Sequence, residues 1–170
     1  MPNHATIPSP SLYTAAPLRN RVRVELNAPV PEVWALVGDF ARLPEYSAGL
    51  ERVDVQTGPG GVPEWYLCHF KPVKAGAAGP VARDLVRWYE ANRGWASVDD
   101  EPNDFGTRDS LHLVTVAPTE RGTMVEWVAH YNAADIEASR SDLDLALVDI
   151  AERLIQRFGG RLFERYAQRG

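Results

Sequence analysis

The stretch Arg21-Val-Arg-Val-Glu-Leu-Asn-Ala-Pro-Val-Pro-Glu-Val-Trp-Ala-Leu-Val-Gly-Asp-Phe-Ala-Arg-Leu-Pro-Glu-Tyr46 decides the fold. Its first six residues alternate, which puts Val22, Val24 and Leu26 on one face of a strand half exposed to water. Asn27-Ala28-Pro29 ends the alternation. Pro31 and Glu32 suit the first turn of a helix, where a missing backbone N–H does no harm. Val33, Trp34, Leu36 and Val37 then form the apolar face of a short helix that Gly38 closes. Asp39 can cap a second helix through Phe40 and Leu43, limited by Pro44. A strand therefore leads into two short helices in tandem.

Downstream, residues 51–57, 64–70, 81–90, 95–101, 109–117 and 123–131 read as six more strands. Turn residues such as Gly58-Pro59-Gly60-Gly61, Asn92-Arg93-Gly94, Pro102-Asn103-Asp104 and Glu120-Arg121-Gly122 separate them. Connections this short leave no room for crossover helices, so the expected sheet is an antiparallel meander. After Tyr131 the period changes. Ser139 or Ser141 can cap a helix with Asp142 and Asp144 in its first turn, at the positive end of the dipole. Leu143, Leu147, Ile150, Leu154, Phe158 and Leu162 recur at helical spacing, predicting one apolar face about six turns long. Such a helix needs a large apolar partner, and the concave face of the sheet is the one on offer. Gly159-Gly160 is read as a kink or as a thin wall beside a ligand, because each glycine costs about 1 kcal/mol in a helix interior. Arg153, Arg157, Arg161, Arg165 and Arg169 form a ladder along the same helix, read as a solvated flank or as an attraction for an acidic ligand.

The chain has 170 residues, enough for one ordinary domain, and the expected division is a loose leader over residues 1–19 and a ligand-binding domain over 20–168. A net charge of −5 argues against a nucleic-acid partner, which needs a concentrated basic face. Cys68 is the single cysteine, which excludes an intrachain disulfide and fits a reducing, cytoplasmic compartment. No apolar run reaches the length of a membrane span.

The order of strand, two short helices, six strands and long helix resembles the helix-grip architecture of the START and Bet v 1-like superfamily. Residues 24–46 look like the signature of its polyketide cyclase/dehydrase and lipid-transport branch, Gly122-Thr-Met-Val-Glu-Trp127 like its last strand, and residues 142–166 like its closing helix. The resemblance implies an α+β fold in which a seven-stranded curved sheet grips the helix around a cavity for a hydrophobic small molecule. It implies no metal or cofactor. It leaves open a cyclase or dehydratase acting on a polyketide-like substrate, a carrier or sensor of a lipid or quinone, and an interaction module, as monomer or homodimer. Residues 61–69 also resemble the third strand of tetracenomycin-type aromatase/cyclases, which would turn Trp65, Leu67 and His69 inward.

Period-two alternation then sorts the remaining strands. Val125, Trp127, Ala129 and Tyr131 form the apolar set of the last strand. On the strand before it, Val114 and Val116 would carry Ser110 and His112 inward, while Leu111 and Leu113 make a rival set. Placing Val81 and Leu85 inside brings in Arg83, Arg87 and Tyr89. The expected catalytic pair is His69 and Arg87, a proton carrier and a fixed cation for an enolate. The expected ligand contacts are Trp65, Leu67, Tyr89, His112, Val114, Trp127, Tyr131, Phe40, Leu154 and Phe158. The histidines show no metal-ligand spacing, residues 75–80 lack the Lys-Ser or Lys-Thr of a phosphate loop, and Cys68 is expected to face out as an inert thiol.

Overall fold

Residues 6–167 are described by a computed structural model. In chain order the elements are β1 (Leu18–Leu26), α1 (Val30–Val37), a 3-10 helix (Phe40–Glu45), β2 (Leu50–Thr57), β3 (Pro63–Phe70), β4 (Val81–Glu90), β5 (Gly94–Asn103), β6 (Thr107–Pro118), β7 (Thr123–Ala133), α2 (Ile136–Phe158) and β8 (Gly160–Ala167). The strands form one sheet in the order β2-β3-β4-β5-β6-β7-β1-β8, and each pair is antiparallel. The expected meander holds from β2 to β7, with β1 closing against β7. The expected cap of the 3-10 helix is present: the Asp39 carboxylate accepts from the Ala41 N–H at 3.1 Å.

The long helix is shorter than its apolar spacing suggests, and the sheet has eight strands instead of seven. α2 starts one turn early, capped by Asp135, whose Oδ1 accepts from the Ala138 N–H at 3.0 Å, so neither Ser139 nor Ser141 serves as the cap. It ends at Phe158 because Gly159 (φ 70°) and Gly160 (φ 121°) adopt backbone that side chains resist. The chain reverses there and pairs with β1 as β8. Leu162 therefore leaves the helical stripe, and the arginine ladder divides, its last member Arg169 lying outside the described residues. Arg153 and Arg157 stay on α2, while Arg161 pairs with Glu25 at 3.1 Å and Arg165 with Asp144, tying β8 to β1 and α2.

The core lies between the concave face and the helices. Leu147, Ile150, Ala151 and Leu154 of α2 are buried against Val22, Val24 and Leu26 of β1 and against α1. Two aromatic donors from the sheet satisfy carbonyls that the end of α1 leaves open: Trp95 Nε1–H donates to Val37 O at 3.0 Å and the Tyr89 hydroxyl to Gly38 O at 2.9 Å. On the convex face Trp88, Val98 and Tyr13 pack around Ala96, Leu111 and Leu113. The segment before β1 reaches this cluster, with the Thr14 hydroxyl donating to Asp109 O at 2.7 Å.

Candidate functional site

Aromatic side chains fill one side of the space under α2. Phe40 stacks on Tyr66 with ring centroids 4.3 Å apart, Trp95 meets Phe40 edge-on at 4.9 Å, and Trp127 meets Trp95 edge-on at 5.2 Å. The other side is hollow. A cavity of about 260 Å³ lies between the floor made by β3 to β7 and a roof of Leu43, Leu50, Leu143, Leu147 and Ile150. Its mouth is edged by Phe70 and Phe105, themselves edge to face at 4.8 Å.

The floor is polar. Tyr66, Asp84, Asp99, Ser110 and His112 all line it. Tyr66 and Asp84 are register partners across β3 and β4, and Asp84 and Asp99 across β4 and β5. The Tyr66 and Ser97 hydroxyls lie 2.7 Å apart in the buried interior. Burial raises the Asp84 carboxyl above the ordinary carboxylate range, opposed only in part by nearby His112 and by a hydrogen bond from Tyr66. Burial raises Asp99 in the same way, while its Oδ1 accepts from the Ser110 backbone N–H at 2.8 Å. A buried carboxyl displaced toward neutrality beside a histidine is a pair suited to proton transfer.

Several expected site residues lie elsewhere. β3 turns Tyr66, Cys68 and Phe70 inward, so Trp65, Leu67 and His69 are on the convex face. There Trp65 lies under Arg83 at 4.6 Å, and His69 donates from Nε2 to Asp54 at 2.8 Å while Nδ1 accepts from Arg52 at 3.3 Å. On β4 the inward set is Ala82, Asp84 and Val86, and Arg87 is exposed at a bulge after Val86. That bulge switches the alternation, so Trp88 packs outside and Tyr89 inside, against Trp34 and Phe40. His112 and Trp127 do line the cavity. Phe40, Val114, Tyr131 and Leu154 are buried core side chains, Phe158 packs at the core's edge, and the Tyr131 hydroxyl donates to Asn20 Oδ1 at 2.7 Å.

Sequence reasoning passes over Tyr66, Asp84 and Ser97, and reads Asp99 as a solvated strand end, whereas it lines the cavity. One signal was available: aspartate is disfavoured in strands, and Asp84 alternates with the apolar Ala82 and Val86 near the middle of one. Cys68, expected outside, faces the cavity, and burial pushes its thiol well above the ordinary range. A disulfide reagent such as Ellman's is expected to leave the native protein unlabelled and to titrate one thiol per chain in urea; rapid native labelling would contradict this burial.

Over residues 18–167 the sequence matches the description "polyketide cyclase / dehydrase and lipid transport". The chain belongs to the polyketide cyclase/dehydrase and lipid transport family. Solved structures agree on the fold. A START superfamily protein from Mycobacterium smegmatis superposes with a TM-score of 0.70 at 13% identity, covering 84% of this chain and 97% of that one. The protein XoxI from Bacillus cereus superposes at 0.69 with 16% identity, covering 82% and 94%. Among curated proteins no match is found. The family and fold fit a binder of hydrophobic ligands. Among the described residues no helix is long and apolar enough to cross a membrane.

Proposed function

We propose that this family member binds a small, flat, largely apolar molecule with one polar edge and converts it by proton transfer, in a dehydration or cyclisation of a polyketide-like ketone. The observation that carries the reading is the polar floor: a carrier has no need of Asp84, Asp99, Tyr66 and His112 in a cavity with an apolar roof. Size narrows the substrate. A cavity of 150 Å³ accommodates benzene, so about 260 Å³ suits one or two rings. Long-chain lipids and four-ring polyketides exceed it. In a dehydration, Asp84 takes a proton from the carbon beside the carbonyl and the electron pair moves toward the carbonyl oxygen. The hydroxyl on the next carbon then leaves, and Asp84 returns the proton to it, so that water departs and a C=C bond remains.

The family's lipid-transport description supports a second reading, a non-catalytic carrier of an apolar compound. The probe 3-hydroxy-α-tetralone separates the two, since loss of water converts it to α-naphthol with a large change in absorbance. Turnover that disappears in Asp84→Asn supports the enzyme. A raised melting temperature without turnover supports the carrier. Ala146 lines the cavity from an exposed position on α2, so Ala146→Trp is expected to place an indole across it without loss of folding. That variant should show no thermal shift with the probe. An undiminished shift would mean that the compound binds elsewhere.

A further inference from the structure

Among the described residues the floor carries a hydroxyl buried without a partner, at Ser110, and an imidazole, His112, whose donor Trp127 determines. An indole N–H can only donate, and Trp127 Nε1–H donates to Nδ1 of His112 at 3.2 Å. In the neutral ring Nδ1 therefore holds the lone pair, and the proton sits on Nε2 at the other side of the imidazole. The indole is itself held in place, edge-on to Trp95 with the planes at 84°. Ser110 stands two residues back along β6, within the register shift between Arg108 and Leu111, and lines the same cavity as His112. Ser110 is 8% exposed, and its Oγ is buried without a partner. Asp99 binds the Ser110 backbone N–H and leaves the hydroxyl free.

We infer that His112, as a neutral Nε2–H donor, and Ser110 together form a seat for a ligand carbonyl oxygen, with Trp127 as the positioning residue that selects the tautomer. The inference rests on the reading of the cavity as a ligand site and names its ligand class: an aromatic or conjugated ketone of one or two rings. A carbonyl oxygen has two lone pairs and takes both donors. The rings then lie under Leu143, Leu147 and Ile150. A hydrocarbon of the same shape leaves the Ser110 hydroxyl unpaired in the interior, and an unpaired buried donor is what such a site selects against. If the oxygen gathers charge during proton abstraction, both donors strengthen, because charge-assisted hydrogen bonds are the stronger kind.

Two measurements test this. Side-chain nitrogen-15 spectra of the whole protein, with His112→Gln to assign the resonance, are expected to show His112 protonated on Nε2. In Trp127→Phe, which keeps an aromatic ring and removes the N–H, the signal is expected to move toward a mixture of tautomers. Calorimetric titration with α-tetralone and with tetralin, the same skeleton without oxygen, is expected to give the ketone at least about tenfold tighter binding. That preference should fall several-fold in Trp127→Phe and in Ser110→Ala, while the affinity for tetralin stays unchanged. A purely structural role for Trp127 would shift both affinities alike, and Ser110→Ala probes the seat without disturbing the aromatic packing. An Nδ1-protonated ring in the wild-type protein, or tetralin binding as tightly as α-tetralone, overturns the seat but not the cavity. Failure of both compounds to bind, with the histidine tautomer as expected, overturns the reading of the cavity as a ligand site and the seat with it.

Discussion

Asp84→Asn is expected to stabilise the folded protein at neutral pH while abolishing any proton-transfer turnover in the cavity. Burial raises the Asp84 carboxyl in the native state, whereas in the unfolded chain it titrates near the ordinary carboxylate value. Between those two points the native state holds the proton that the unfolded state has released. The native state therefore binds more protons, and stability falls as pH rises through this window. The contribution is fully present below the ordinary carboxylate range and is lost as pH climbs through the raised value. Asp99, raised for the same first reason, adds a slope of the same sign. Asparagine is nearly isosteric and keeps an oxygen that can accept from Tyr66, yet it never ionises. The gain at neutral pH should be on the order of 1–3 kcal/mol, and the decline of stability as pH rises above the ordinary carboxylate range should flatten. Urea denaturation of both proteins across pH 4 to 8 measures this. Equal stability with parallel pH profiles would show that Asp84 ionises at no cost and would remove the physical reason for treating it as the base.

Gly160→Ala is expected to destabilise the fold by roughly 3 kcal/mol or more. At φ 121° a Cβ would stand 2.0 Å from the Glu25 carbonyl oxygen and 2.9 Å from the Leu26 Cα, both backbone atoms of β1 that cannot yield. The variant must either strain the backbone or detach the start of β8, whose register with β1 begins at the Gly160–Leu26 pair. The alternative, a helix continuing through this position, predicts the opposite sign, since alanine in a helix interior is about 1 kcal/mol better than glycine. One urea curve therefore separates strand from helix at this junction. Gly106→Ala is the matched control, since an added Cβ there meets nothing within 4 Å, and it should be near neutral. A stabilised Gly160→Ala protein would restore the long helix and dissolve β8.

The Gly160 junction also marks where the sequence was legible and where it was not. The alternation of residues 21–26, the Pro31-Glu32 helix start and most of the turn residues between strands are local signals that fall where expected, although β5 runs on through Pro102 and Asn103. Local periodicity also favoured a helix through Leu162, because leucine and phenylalanine at helical spacing suit a strand equally well over a few residues. Only the close approach of the β1 backbone makes the glycine pair a reversal. On β3 both alternating sets, Trp65 with Leu67 and Tyr66 with Cys68 and Phe70, are apolar, so no local pattern could choose between them. The register shifts at both ends of the β2–β3 pairing belong to the assembled sheet.

The chain by itself determined the α+β class, the order of elements from β1 to the start of α2 and the family, because capping, turn chemistry and periodicity act over a few residues. The tertiary structure decided which face of each strand meets the cavity and therefore which polar groups share it. A bulge of one residue, such as the one after Val86, exchanges inside for outside along the rest of a strand. That exchange turns Tyr89 inward, while the faces chosen on β4 and β3 put Arg87 and His69 outside, and Asp84, between Ala82 and Val86 on the inward face, lines the cavity with His112. Whether two strand faces converge on one cavity depends on pairing between segments far apart in the chain, and no residue's immediate neighbours carry that information.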